Sequence, residues 1–448
     1  MLNFITNNLK NLIKQHQKLS RDMAILAILF SGLMALMVVR GWANICYILL
    51  FTFSVIHLKR SVIHAQKQRQ FIQLVWLFSA LALPVFAIFF SQLARNDWLL
   101  SAYDGPSRML FAIPILLYFV YLKLDFVKIL GISMPILLFA TIISIHQHPE
   151  VITFWGGRYA TTFVDPNSFG NFSVIFTAFC AFNLNVNVLE KNASKPQMQT
   201  ALAWFFYQTL GLMAGLYLVL GSGTRGSWLA VPAIAAIWLT LHYRDLNAQF
   251  LALIGIISLV CFVFILLFYP QISGRFASGF IEVKSWFNHE NRDTSAGIRL
   301  SMWHIAWDLY SQHPLIGYGD QGFKKFLNSP FINSDASQIA KDTIRCCGPH
   351  NELLANMLRS GILGMLSVIG LFLIPLGIFI RNIKHRLASV KLAAQLGTIY
   401  IITLMICSLS MEVFNLKYTA SFYGLMMAGL IAQIISMRDD LTCHKDIL

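Results

Sequence analysis

Runs of about twenty residues without a charged side chain recur along this chain. Residues 71–93, 129–146, 201–220, 249–269, 393–411 and 420–437 contain no Asp, Glu, Lys or Arg. A helix of about 20 apolar residues crosses the roughly 30 Å hydrocarbon layer of a bilayer. Lipid offers the backbone no hydrogen-bond partner, so such a run must pair internally, as a helix does. Shorter or less uniform runs at 23–39, 42–57, 109–122, 168–189, 228–242 and 354–380 bring the expected total to about twelve spans. Only 12% of the 448 residues are charged and 57% are hydrophobic. A soluble domain carries about 25% charged residues. The expected fold class is therefore an all-α polytopic membrane protein. The first 22 residues are polar and basic with no small-residue cleavage site after 23–39, so the first apolar run is expected to stay as a span.

Lys and Arg in the short connections set the orientation. They fall in the N-terminal segment, in 58–70 (Lys59, Arg60, Lys67, Arg69), at Lys123 and Lys128, at Lys191 and Lys195, at Arg244, in 381–391, and in the C-terminal tail. Twelve spans put all of these on one side, the cytoplasm, with both termini inside. The net charge of +14 then reflects topology and attraction to anionic lipid; it calls for no nucleic acid. The expected organisation is 1–269 as the first nine spans, 270–349 as one long outer loop, and 350–448 as the last three spans with a short tail.

The long loop holds eight Lys and Arg against seven Asp and Glu, so it is no general basic patch. At about eighty residues it far exceeds an ordinary connection and is expected to carry function. Within it, Leu300, Trp303, Ala306, Trp307 and Tyr310 recur at helical spacing, predicting an amphipathic helix followed by a Gly-rich turn. The adjacent Cys346 and Cys347 show no metal-ligand or disulfide-framework spacing. Two free thiols, or one paired elsewhere, are the default expectation, with a vicinal disulfide as the alternative.

Polar residues gather at the outward ends of the spans in "AYDGPSR" (Asp104, Arg108), "GGRYATTFVDPNSFG" (Arg158, Asp165), "GSGTRGSWLA" (Arg225), at Arg299, and in "PHNELLANMLRSGILG" (His350, Asn351). Arg225 lies in a tight Gly-rich connection, where glycines let the backbone approach a ligand and a guanidinium fork matches phosphate oxygens. The plain alternative is an arginine that snorkels to anchor a helix end. His350 and Pro349 are expected in the first turn of a helix running to Ile380, about 48 Å long at about 1.5 Å per residue. That exceeds the membrane, so the first turns stand above it. A helix N-terminus disfavours imidazolium, leaving His350 neutral near pH 7 and able to accept a proton. The alternative is a polar residue with no role beyond the helix start. Asn351 is expected to orient the ring or a substrate hydroxyl, and Gly361 and Gly364 to let a neighbouring helix pack close.

No Asp-x-Asp or Glu-x-Asp spacing, phosphate-binding Gly-x-x-x-x-Gly-Lys-Ser/Thr loop or Gly-x-Ser-x-Gly elbow occurs in the sequence. Arginines and a histidine without a carboxylate pair suit displacement of a diphosphate already activated elsewhere, with no metal and no cofactor.

"PHNELLANMLRSGILG" has His, then Asn, nine residues, then Gly-x-x-Gly. In this it resembles the bacterial O-antigen ligases. "GSGTRGSWLA" and "RLSMWHIAWDLYSQHPLIGYG" are similar to two further blocks of the wider superfamily, which includes O-antigen polymerases and bacterial O-oligosaccharyltransferases. The resemblance covers about Asp104 to Gly364; "RCCG" (345–348) has no place in it. It implies a GT-C-like, metal-independent inverting glycosyltransferase at the periplasmic face of the inner membrane. The implied donor is an undecaprenyl-diphosphate-linked glycan and the implied acceptor a sugar hydroxyl of the lipid A core. Carried over, Arg225 and Arg299 grip the diphosphate and His350 deprotonates the acceptor, with Arg158, Asn351 and Asp104 as weaker candidates. Protein Ser/Thr glycosylation and glycan polymerisation share the donor and differ in acceptor. A lipid-linked glycan flippase is the alternative outside enzymes, and it should carry charges within its spans.

Overall fold

The computed structural model describes residues 22–66, 71–184, 195–242, 270–332 and 337–445. Every regular element among them is helical. Six helices are long and apolar enough to cross a membrane: Leu74–Arg95, Phe126–Gln147, Gln197–Ser222, Glu352–Asn382, Ala388–Ser408 and Lys417–Met437. Trp42–Ile56 and Leu58–Gln66 pass the same test only as a pair, bent by 72°. Asp22–Met34 and Pro106–Leu122 are shorter apolar helices. Pro166–Phe182 and Arg225–His242 fall on two more of the apolar runs. The expected ninth span, 249–269, lies outside the described residues.

Lys417–Met437 is the central post, with 94% of its apolar window buried inside the protein. It packs against Pro106–Leu122, Ala388–Ser408 and Trp42–Ile56. Hydrogen bonds fix its register. Tyr47 Oη donates to the Arg108 carbonyl at 2.6 Å, and Arg108 Nη1 donates to Ser421 Oγ at 3.2 Å. At the other end Gln433 Oε1 accepts the Val127 N–H at 2.8 Å while its Nε2 donates to Asp125 Oδ1 at 3.2 Å. Asp125 also caps Phe126–Gln147 by accepting the Lys128 N–H.

The 270–349 segment folds into helices Pro270–Phe287, Ser295–Gln312 and Gln338–Cys347, with a small apolar core of its own that includes Met302, Ile305, Leu309, Ile344 and Leu358. The expected amphipathic helix is present, but its buried face is turned. Met302, Ile305, Ala306 and Leu309 point inward, whereas Trp307 is 56% exposed. Ala306 sits at the centre of this face, and its small side chain lets the helix lie close to Gln338–Cys347 and Glu352–Asn382. Cys346 and Cys347 form a vicinal disulfide, so the default of two free thiols is incorrect. The helix ends there, at Gly348 with φ 75°.

The Glu352–Asn382 helix differs from the expected straight rod in two ways. It begins after Asn351, whose Oδ1 caps it by accepting the Leu353 and Leu354 N–H groups at 3.0 and 3.2 Å. Pro349 and His350 therefore precede the helix and are not its first turn. It also breaks at Ser360 (φ −136°, ψ 18°) and Gly361 (φ 60°, ψ −140°). The Pro314–Tyr318 strap docks into the break. Ile362 N–H donates to the Pro314 carbonyl and Tyr318 N–H to the Leu358 carbonyl, both at 2.7 Å. Ser91 Oγ bonds the Ile316 and Arg359 carbonyls at 2.5 and 3.1 Å, tying helix Phe71–Arg95 to the same point. Gly361 thus admits a backbone strap, and Gly364 faces the Asn356 carbonyl of its own helix; neither glycine serves the close helix neighbour expected.

A Cβ at Gly361 would overlap the backbone of Pro314 and Leu315 in a conformation open essentially to glycine alone. Gly361→Ala is expected to cost about 1–3 kcal/mol from the backbone alone. Thermal unfolding in detergent measures this, and an unchanged midpoint would contradict the strap.

Candidate functional site

Arg225 opens the helix Arg225–His242, directly after a turn in which Gly223 has φ 60°. Its guanidinium reaches into the 270–349 region. Nη1 and Nη2 donate to the two oxygens of Glu282 at 2.8 Å each, and Nη2 also donates to Ser278 Oγ at 2.8 Å. The Arg225 fork therefore already holds an anionic group with two oxygens in the geometry that suits phosphate. Glu282 Oε2 accepts the Ala296 N–H as well, at 2.9 Å. The Arg225 bond, opposed by partial burial and helped by the amide, holds the Glu282 carboxyl below its ordinary range.

Arg299 stands on the second turn of Ser295–Gln312, whose cap is Thr294. Among the described residues it has no hydrogen-bond partner. Burial and the neighbouring Arg225 charge push its pKa down, with Glu282 opposing. An unpaired, partly buried guanidinium beside a second one is costly, and an anion placed between them relieves that cost.

His350 is half-buried and sits in the left-handed region at φ 50°, uncommon for a residue with a side chain. Its ring has no hydrogen-bond partner among the described residues. Burial and the Arg299 charge hold its pKa below 6.5, against an upward pull from Asp165. The ring is therefore neutral near pH 7 for a reason other than the expected helix terminus: it precedes that helix and lies beside a cation. Asp165 caps Pro166–Phe182 through the Asn167 and Ser168 N–H groups at 2.9 and 3.2 Å. Arg225, Arg299, His350 and Asp165, drawn from four distant segments, thus form one electrostatically connected group.

The weaker candidates have other employment. Arg158 Nε donates to the Ser222 carbonyl at 2.9 Å, and Nη2 to Asn167 Oδ1 and Thr224 Oγ1 at 2.9 and 3.0 Å. It braces the turn that presents Arg225. Asn351 spends its Oδ1 on the helix cap. Asp104 pairs at 2.8 Å with Lys417, both about half exposed, and no contact among the described residues links it to Arg225, Arg299 or His350.

Several residues escaped the sequence reading. Glu282 carried no motif; its only signal was an acid seated among apolar neighbours in a loop with few of them. Behind His350 lie Glu352, Glu412 and Asp320, with Arg359 bonded to Asp320 at 2.5 Å. Carboxylates scattered in sequence thus meet in space, although none has a pairwise spacing. Arg359 was legible as the one charge within the apolar run 354–380.

The electrostatics yield a testable order of titration. The His350 ring, followed by NMR in the detergent-solubilised protein, should titrate below pH 6.5. Arg299→Gln should move its midpoint up and Asp165→Asn should move it down. No change in either variant would place the ring away from both groups.

Residues 210–369, which include Arg225, Arg299 and His350, match the family model described as O-Antigen ligase. An uncharacterized protein of Haemophilus influenzae is 26% identical over 310 residues, covering 67% of this chain and 71% of that protein. This stretch of the chain is accordingly similar to the O-antigen ligase family.

Proposed function

We propose that the protein transfers a glycan from undecaprenyl diphosphate to a sugar hydroxyl of the lipid A core. Members of the O-antigen ligase family act in glycosyl transfer. The observation that supports the finer reading is the meeting of two arginines with a neutral histidine, where neither Arg299 nor the His350 ring has a hydrogen-bond partner among the described residues. On this reading the membrane is the bacterial inner membrane, crossed about twelve times. Residues 1–269 and 350–448 hold the spans, 270–349 is periplasmic and both termini are cytoplasmic.

The diphosphate enters between Arg225 and Arg299 and displaces Glu282 from the Arg225 fork. His350 takes the proton of the acceptor hydroxyl as its oxygen attacks the anomeric carbon. The bond from that carbon to the diphosphate oxygen breaks, and undecaprenyl diphosphate leaves with the bonding pair. Attack from the face opposite the leaving group inverts the anomeric centre. The two guanidinium groups offset the charge that grows on the diphosphate, the task a metal serves elsewhere, so transfer is expected to proceed in excess EDTA.

Purified enzyme with a lipid-linked donor tests the roles. General-base help is typically worth about 10² to 10⁴ in rate. His350→Ala should lose single-turnover rate in that range with donor affinity nearly unchanged. Arg299→Lys keeps the charge and loses the fork, so it should lose most activity. Near-normal turnover in His350→Ala would overturn the base, and EDTA inhibition restored by a divalent metal would overturn metal independence. A deletion strain identifies the acceptor: loss of long-chain lipopolysaccharide supports the ligase, single-repeat chains a polymerase, and loss of glycoproteins alone protein glycosylation.

A further inference from the structure

We propose that Glu412 is a positioning residue for His350: its protonated carboxyl braces the Gly348–Pro349 turn, and its ionisation releases that turn. The inference rests on the reading of His350 as the base.

The geometry brackets His350 on both sides. A left-handed conformation at a non-glycine residue persists only where its surroundings enforce it. Two residues before His350, Gly348 has φ 75° and lies directly against the Glu412 carboxyl, where a Cβ would collide with Oε1. Two residues after it, Glu352 Oε2 accepts the Phe414 N–H at 2.9 Å, and its Oε1 accepts Asn356 Nδ2 at 2.6 Å. Both ends of the bracket are therefore made by one short segment, 412–414, between Ala388–Ser408 and Lys417–Lys445.

Charge counting then locates a proton. Glu352 and Asp320 face Glu412 as carboxyls, and Arg359 faces it as a cation. Arg95 lends a second positive charge near Asp320, with Asp97 as its larger charge partner. Nearby, Lys417 pairs with Asp104 and Arg345 with Asp342. Four carboxyls thus share two guanidinium groups. Asp320 bonds Arg359 directly, and the oxygens of Glu352 are filled by N–H donors. Among the described residues Glu412 has only Asn415 Nδ2 on Oε2, at 3.1 Å, and its Oε1 is shielded from solvent without a hydrogen-bond partner. The carboxyl with the fewest donors is the one that keeps a proton at least cost. Burial and then the Glu352 charge push Glu412 up, against Arg359, to about 7. Once ionised, Oε1 has two carboxyls beside it and no donor, so it is driven out from behind Gly348.

The test is the pH profile of single-turnover transfer by the full-length protein at saturating donor. In wild type the rate should rise with pH below 6.5 as His350 loses its proton. Above pH 7 it should fall, to about one-tenth of its maximum by pH 8 for a single ionisation near 7. Glu412→Gln mimics the protonated carboxyl, so its rate at pH 8 relative to pH 6.5 should rise about tenfold over wild type. An alkaline fall that persists in Glu412→Gln overturns the proposal. Near-normal turnover in His350→Ala instead overturns the base reading, so the two failures are distinguishable. A second measurement needs no active variant. The folded-state pKa of Glu412 lies above its unfolded value near 4.5, so it contributes stability below about pH 4.5 that is lost as pH rises through about 7. Because Glu352 is a second buried carboxyl, the band to follow is the buried protonated-carboxyl infrared band that is missing in Glu412→Gln; in wild type it should vanish with a midpoint near pH 7. Its absence at pH 5 overturns the proposal.

Discussion

The hydrogen bonds that dock the Pro314–Tyr318 strap into the break at Ser360–Gly361 join the 270–349 region to the Glu352–Asn382 helix. The Pro314 carbonyl takes the Ile362 amide and the Leu358 carbonyl takes the Tyr318 amide, so backbone groups freed by the broken helix are satisfied by the strap rather than lost in an apolar setting. Arg359 and Asp320 close the joint with an ion pair. Through this joint the helices of the 270–349 region share a core with Leu358 on the first segment of the Glu352–Asn382 helix.

The second tie is electrostatic. Arg225 emerges from the helical bundle and grips Glu282 of the 270–349 region. On the proposed function, the contact that ties this region to the bundle also fills the fork that a diphosphate would need, and the carboxylate would yield to a more highly charged anion. Arg299, by contrast, has no hydrogen-bond partner among the described residues, with Glu282 acting on it only through its charge. One guanidinium is thus guarded and the other open, an asymmetry that mutation of Arg225 alone does not reveal.

The apolar runs of the sequence were enough to place most of the helices, because an uncharged stretch of that length has few alternatives to a helix. The candidate site was legible where a residue type carries chemistry by itself: Arg225 and Arg299 are strong fork-shaped donors and His350 is an imidazole able to take a proton. It was not legible where function depends on pairing at a distance. Glu282 meets Arg225 across 57 residues, Glu352 meets Phe414 across 62, and Glu412 meets Arg359 from a different helix connection; no periodicity encodes such meetings. The outward placement of Trp307 on Ser295–Gln312 was misjudged because spacing reports that a helix has an apolar stripe, while close approach of two neighbours decides which stripe is covered. Pro349 suggested a first helical turn, yet Asn351 is the better cap and the helix starts there.

The account's central claim is that Arg299 and His350 work on one reacting centre. A double-mutant cycle on the single-turnover rate tests it directly. Residues that act as a unit are strongly non-additive. The Arg299→Ala, His350→Ala double variant should be about as slow as the slower single variant. Losses that multiply across the two sites, in proteins of matched stability, would mean the arginine and the histidine act independently and would contradict the shared site.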